Sequence, residues 1–189
     1  MVTKSEVLGR IQGWPRTLGW NAFHDEATSQ DPRDPTLKAY THCLIKPVSS
    51  KLKITPKPDS SGMYRFLDCG LTVELDHVKT WVVTANKTPD LLSHEQAHYD
   101  LAGVVAVDIC RSILELTAKS TQVLMGEAQK WLNTYKPEWK KVDDRYDDKT
   151  EHGDKKFEQQ AWKAAIQWAI DAPAYGFGGL ALAVHYGVL

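Results

Sequence analysis

The sequence predicts an α+β fold in one domain spanning residues 1–189, with a small β-sheet in the N-terminal half and a helical C-terminal half. Three observations predict it. Short period-two and β-branched runs cluster before residue 85, and apolar residues recur at three- and four-residue spacing after residue 88. A chain of 189 residues, 42% of them hydrophobic, can also bury one sizeable core without a second domain.

The opening segment carries the aromatic anchors Trp14, Trp20 and Phe23, and two Asp/Pro steps within residues 30–35 mark a loop. In residues 39–46, Tyr40, His42, Leu44 and Lys46 alternate with Thr41, Cys43 and Ile45, the pattern of a strand that ends at Pro47. Residues 49–61 are rich in Ser, Lys and Pro and read as a second loop. Residues 63–67, 71–75 and 78–84 are three further strand candidates, and with the first they make a mixed or antiparallel sheet.

A helix is predicted from Thr88 onward. Thr88 suits the N-cap, Pro89 the first helical position and Asp90 the positive helix start. Leu91, His94, Glu95, His98, Leu101, Ala102 and Val105 follow at helical spacing, and helical character persists through Trp131, with Gly103 and Gly126 as breaks or points of close packing. Residues 136–151 read as a charged connection. Helical periodicity resumes over residues 154–171, with Pro173 as its stop. The apolar tail, residues 172–189, contains Pro173, His185 and four glycines, so it is expected to pack on the domain and not to span a membrane.

Lys plus Arg number 23 and Asp plus Glu 24, with no long run of either sign, which argues against a nucleic acid partner. Cys43, Cys69 and Cys110 are an odd set without CxxC spacing, so neither a cysteine zinc finger nor a disulfide framework is expected. One pair, Cys43 with Cys69, is the candidate bridge in an oxidising compartment. The first seven residues lack the apolar core of a secretory signal, as in a cytoplasmic chain or a mature form whose leader has been removed. Oligomeric state is not legible.

The chemistry is concentrated in His94-Glu95-Gln96-Ala97-His98. Two histidines four apart on a helix project from one face and can reach one metal ion, and a glutamate beside the first is placed to take a proton from a water. Zinc prefers neutral nitrogen donors in tetrahedral geometry, and a catalytic site leaves one position for water. A third protein ligand is therefore needed. Leu101 and Val104 stand where an extended HExxHxxGxxH pattern would place its later glycine and histidine, so the ligand comes from elsewhere, with the carboxylates and His152 of residues 143–153 as candidates. Asp100, about 200° round the helix from His98, is expected to be exposed or to act behind the ligands. His24, His42, His77 and His185 have no helical partner at ligand spacing and read as structural or incidental.

The run Thr80-Trp81-Val82 followed by Leu91-Leu92-Ser93-His94-Glu95-Gln96-Ala97-His98-Tyr99-Asp100 resembles the bacterial domain of unknown function 922, described as a predicted secreted zinc-dependent protease with a motif close to SWV, then LLxHEQxHFDI. Thr80, Tyr99 and Leu101 are mild departures. Leu18-Gly19-Trp20-Asn21-Ala22-Phe23 is similar to the family's LxWxDF element, with Ala22 in place of the acid, and Tyr146 to Gly153 is similar to its YDxxTxHG element. Ala39-Tyr40-Thr41 resembles the A-x-T that opens a family strand. The likeness covers about residues 18–165 and leaves the tail outside.

The resemblance implies a zincin-like peptidase in which His94, His98 and His152 hold Zn2+, with Asp147 as the alternative third ligand or as the carboxylate that orients a histidine. It implies Glu95 as general base, Tyr146 as an oxyanion hydrogen-bond donor, a peptide or protein substrate, and a periplasmic or secreted location. The rival reading is a catalytically inactive zinc- or peptide-binding module on the same fold, favoured if a fourth protein ligand such as Asp147 closes the site.

Overall fold

A computed structural model describes residues 4–171 and 176–189. The strands are β1 (Ile11–Gln12), β2 (His24–Glu26), β3 (Ala39–Tyr40), β4 (Cys43–Pro47), β5 (Lys53–Ile54), β6 (Tyr64–Asp68), β7 (Leu71–Leu75), β8 (Trp81–Val83) and β9 (Thr117–Ala118). The helices are α1 (Lys4–Leu8), α2 (Pro89–Glu115), α3 (Thr121–Thr150), α4 (Lys156–Asp171) and α5 (Gly176–His185). The α+β class holds, with β9 the one strand among the described residues of the C-terminal half.

The expected single sheet is instead three small ones, ordered β1-β7-β4, β2-β8-β3 and β5-β6-β9. The first two are mixed, since β7 runs parallel to β1 and antiparallel to β4, and β8 runs parallel to β2 and antiparallel to β3. The third is antiparallel. The strand expected over residues 39–46 breaks at Thr41 and His42, and its halves join different sheets. The break is held by the buried Thr80 hydroxyl, which accepts the His42 N–H at 3.2 Å and faces the His42 carbonyl at 3.4 Å. β7 shows the predicted alternation, with Leu71, Val73 and Leu75 inward and Thr72 and Glu74 outward.

α2 is the centre of the molecule. Its N-terminus is capped as predicted, the Thr88 hydroxyl accepting the Leu91 N–H at 3.1 Å with Pro89 in the first turn. Amphipathic spacing describes only its first half, because residues 101–110 are buried on every side, between β4, β6 and β7 on one flank and α3, α4 and α5 on the other. Each large aliphatic side chain buried there contributes roughly 1.5–3 kcal/mol. Gly103 is a point of close packing: a Cβ added to it would fall 2.1 Å from the Trp14 indole. At Gly126 the helix continues through open space.

The expected charged connection over residues 136–151 is the second half of α3. Its buried stripe, Val142, Tyr146 and Thr150, advances by four and continues the stripe begun by Leu124 and Ala128. The charges that hid it lie outside, in pairs such as Lys140 with Asp144 and Lys141 with Glu138. Pro137 stands within this helix. α4 starts two residues later than expected, and the predicted stop at Pro173 lies outside the described residues. The tail packs on the domain as α5, with Phe177 and Leu180 buried and the Gly178 N–H donated to Asp108 at 3.2 Å. Among the described residues no helix is long and apolar enough to cross a membrane.

The two helical glycines should respond oppositely to alanine. Gly103→Ala is expected to destabilise by about 1–3 kcal/mol through the clash with Trp14, and Gly126→Ala to stabilise by up to about 1 kcal/mol through helix propensity. Denaturant titration of both variants checks the pair, and equal effects would contradict the packing at Gly103.

Candidate metal centre

The polar start of α2 faces the end of α3. His94, Glu95 and His98 are 1%, 2% and 6% exposed, so their charge and hydrogen-bonding needs must be met within the protein. The His94 and His98 Nε2 atoms stand 3.1 Å apart, and Asp147 Oδ1 lies 3.0 Å from each. His152 Nδ1 approaches the same oxygen at 3.3 Å. His94, Asp147 and His152 each offer a ligand atom, all within 4.8 Å of one another, a group that could hold a metal ion.

Behind the donors a second set of contacts fixes the two rings. Asp143 Oδ1 takes the His98 Nδ1 proton at 2.7 Å, one helical turn before Asp147. The Thr150 hydroxyl stands 3.5 Å from His94 Nδ1 and donates to the Tyr146 carbonyl at 2.7 Å. The Tyr146 ring stacks on the His94 imidazole at 4.6 Å and 20°, and meets His98 edge-on at 4.9 Å. The turn after α3 then doubles back: Glu151, His152 and Gly153 all have positive φ, and a Cβ on Gly153 would come within 3.0 Å of the His94 Cβ. The glycine permits the close approach that its place after His152 suggested.

These contacts define the electrostatics. With Nδ1–H given to Asp143, a neutral His98 points the lone pair of Nε2 at a carboxylate oxygen and at another imidazole nitrogen. Such an arrangement calls for a proton or a metal ion between them. Burial alone would lower the His98 pKa, but the flanking Asp147 and Asp143 carboxylates hold it well above the usual 6.5. Burial would raise Asp147, yet the charge of His98 and the hydrogen bonds from His152, His94 and His98 hold it far below the ordinary carboxylate range. The His152 imidazole is raised chiefly by its hydrogen bond to Asp147, against the lowering effect of burial.

The donor set could hold a metal ion, and its spacing can be compared with that of zinc. A tetrahedral ion with bonds of roughly 2.0–2.1 Å holds its donors about 3.3 Å apart. The separations of 3.0 to 3.1 Å among His94 Nε2, His98 Nε2 and Asp147 Oδ1 are close to that edge, and the group of His94, Asp147 and His152 lies within 4.8 Å. Glu95 contributes a second sign, since its Oε2 is buried without a hydrogen-bond partner. A buried, unpaired carboxylate oxygen of that kind is expected where a further polar group is to be met.

The other face of the same helical turn is spent on anchorage. Gln96 accepts the Leu18 N–H at 2.7 Å and donates to the Arg16 carbonyl at 3.1 Å. Asp100 accepts from the Trp14 indole at 2.9 Å and from Gln96 at 3.0 Å. Asp100 is thus neither exposed nor directed at the ligands, a correction to the sequence reading. The Tyr99 hydroxyl donates to the Gly13 carbonyl.

His94, His98, His152 and Asp147 are brought together, and Glu95 is buried on the same turn. Of the two candidates for the third ligand, Asp147 is the one that touches both histidines, while His152, the first choice, sits farther out with 43% of its side chain exposed. Tyr146 is fully buried, with its hydroxyl 3.5 Å from the His94 carbonyl and its pKa raised by burial. Its ring lies against both imidazoles, and its role as an oxyanion donor is a proposal that rests on the resemblance alone. Asp143, one of the candidate ligand carboxylates of residues 143–153, instead stands behind His98, a place that its spacing of four from Asp147 gives it once the segment is helix.

Two measurements test this geometry. Asp143→Ala should weaken zinc binding about 10- to 100-fold in a chelator competition, because His98 loses its orienting partner. Unchanged affinity would mean that the Tyr146 stack alone sets the ring. The second is pH dependence. In metal-free protein His98 and His152 have raised pKa values, so their stabilisation is complete below 6.5 and is lost as pH rises through the folded values. The depressed Asp147 contributes above 3.8 and loses its contribution only as pH falls towards its folded value. Bound zinc needs neutral imidazoles, so its stabilisation grows with pH. Thermal melts between about pH 5 and 8, with and without chelator, should therefore show a gap that widens with pH.

Compared with known families, residues 74–153 match the model described as a bacterial protein of unknown function, DUF922. No curated protein and no solved structure matches the chain.

Proposed function

From the match of residues 74–153 to the DUF922 model and the geometry of the site, we propose that this chain is a zinc-dependent peptidase with a zincin-like site. The observation that carries the reading is the convergence of His94 Nε2, His98 Nε2 and Asp147 Oδ1 within 3.1 Å of one another, beside a buried glutamate with an unpartnered oxygen. His94, His98 and Asp147 are the ligands in this reading, and His152 stands beside Asp147 as its hydrogen-bond partner.

Zinc held there would acidify a water and polarise the carbonyl of a peptide substrate. Glu95 takes the proton of the attacking water and passes it to the leaving amine. Asp143 keeps the Nδ1 proton on His98, leaving Nε2 free as a donor. Tyr146 and Thr150 hold the His94 ring from behind.

A second reading rests on one observation, that Asp147 and His152 both stand by the histidine pair. If all four side chains bind the ion, the shell is closed and the zinc is structural, as in an inactive zinc- or peptide-binding module. Ligand variants separate the two. Asp147→Ala should abolish zinc binding and His152→Ala should retain one zinc per chain by elemental analysis; the reverse result would restore His152 as third ligand.

Glu95→Gln should keep zinc and lower peptide hydrolysis by about 10²- to 10⁴-fold in a peptide-library assay. Full activity in that variant would remove Glu95 from its role. Hydrolysis absent from zinc-loaded wild type, with both Asp147 and His152 needed for zinc, would favour the module.

A further inference from the structure

The cysteine pair expected from sequence, Cys43 with Cys69, is not the pair that the fold assembles. Cys69 lies in the short connection between β6 and β7, and Cys110 on the fully buried stretch of α2. Both are 0% exposed. The Cys110 thiol donates to the Cys69 carbonyl oxygen at 3.0 Å, and the neighbouring Cys110 thiol is the first cause of a raised Cys69 pKa. They are 41 residues apart in sequence.

We propose that Cys69 and Cys110 form an intramolecular disulfide when the chain folds in the presence of a disulfide donor, such as oxidised glutathione or a disulfide-bearing thiol oxidoreductase. The first thiolate attacks the donor's S–S bond, forming a mixed disulfide and releasing one donor sulfur as a thiol. The second thiolate displaces the other donor sulfur. One S–S bond is broken and one is formed, and the two cysteine protons end on the two donor sulfurs. Because both thiols are buried once β7 seats on α2, the exchange takes place during folding, and the finished reduced protein oxidises slowly.

The bridge is separate from the histidine cluster. Cys110 is 12 positions beyond His98, about 18 Å along the helix, so it fixes the far half of α2 to the sheet layer and leaves the metal donors free. A covalent loop of this length restricts the unfolded chain and raises the melting temperature. The proposal does not depend on the peptidase reading.

The test refolds the reduced, denatured full chain with oxidised and reduced glutathione, confirms the native fold by circular dichroism, and alkylates free thiols in denaturant before peptide mapping. The expected result is Cys43 alone alkylated, a cross-linked peptide pair containing Cys69 and Cys110, and a higher melting temperature than the reduced protein. Cys43→Ala should give the same cross-link, and Cys110→Ala should lose it. Natively folded wild type with all three cysteines alkylated, or a bridge that uses Cys43, would overturn the proposal.

Discussion

The rotational setting of α2 about its own axis is the constraint on which the rest depends. The face of α2 that carries His94, Glu95 and His98 is turned inward, so each polar side chain on it must meet a partner. Turning the helix by one residue, about 100°, would carry His94, Glu95 and His98 away from the carboxylates of α3 and leave charge buried without compensation, at a cost of several kcal/mol. Two devices prevent this. On one side Gln96 and Asp100 hold the segment around Trp14 and Leu18, and on the other Asp143 and Asp147 hold the two imidazoles. The same hydrogen bonds that keep the helix in register aim its donors.

This setting also explains why the motif is longer than its chemistry. Gln96 and Asp100 touch the N-terminal segment and neither histidine ring, and Thr80 spans the break between β3 and β4. Thr80 stands where the family pattern has serine and supplies the same hydroxyl. Tyr99 stands where the pattern has phenylalanine, and its added hydroxyl finds the Gly13 carbonyl. These two departures keep or satisfy the hydrogen bond that their environment requires.

The beginning of the site was legible because its signals are local. Thr88, Pro89 and Asp90 announce a helix start, and His94 and His98 share a face once that helix exists. Its other half was obscured. Between Lys136 and Glu151 the buried residues are few and surrounded by charge, so the stripe Val142, Tyr146, Thr150 was lost among lysines and aspartates, and with it the pairing of Asp143 with Asp147. The sheet was misjudged for a different reason. Residues 39–46 alternate without interruption, and the break comes from Thr80, some forty positions away. Non-local contacts likewise decide that Cys69 meets Cys110, and no spacing rule contains them.

The pairing of the strands bears on how far the family-like stretch can stand alone. Residues 74–153 include β8, α2, β9 and α3, but β2, β3 and β6, the partners of β8 and β9, precede residue 74, as do Trp14 and Leu18. Excised, the stretch would keep its metal donors while leaving β8 and β9 without partners and baring the apolar flank of its central helix, the features that lead to aggregation. Autonomy belongs to the larger unit. A graft of this centre into another scaffold would have to carry the N-terminal strands with it.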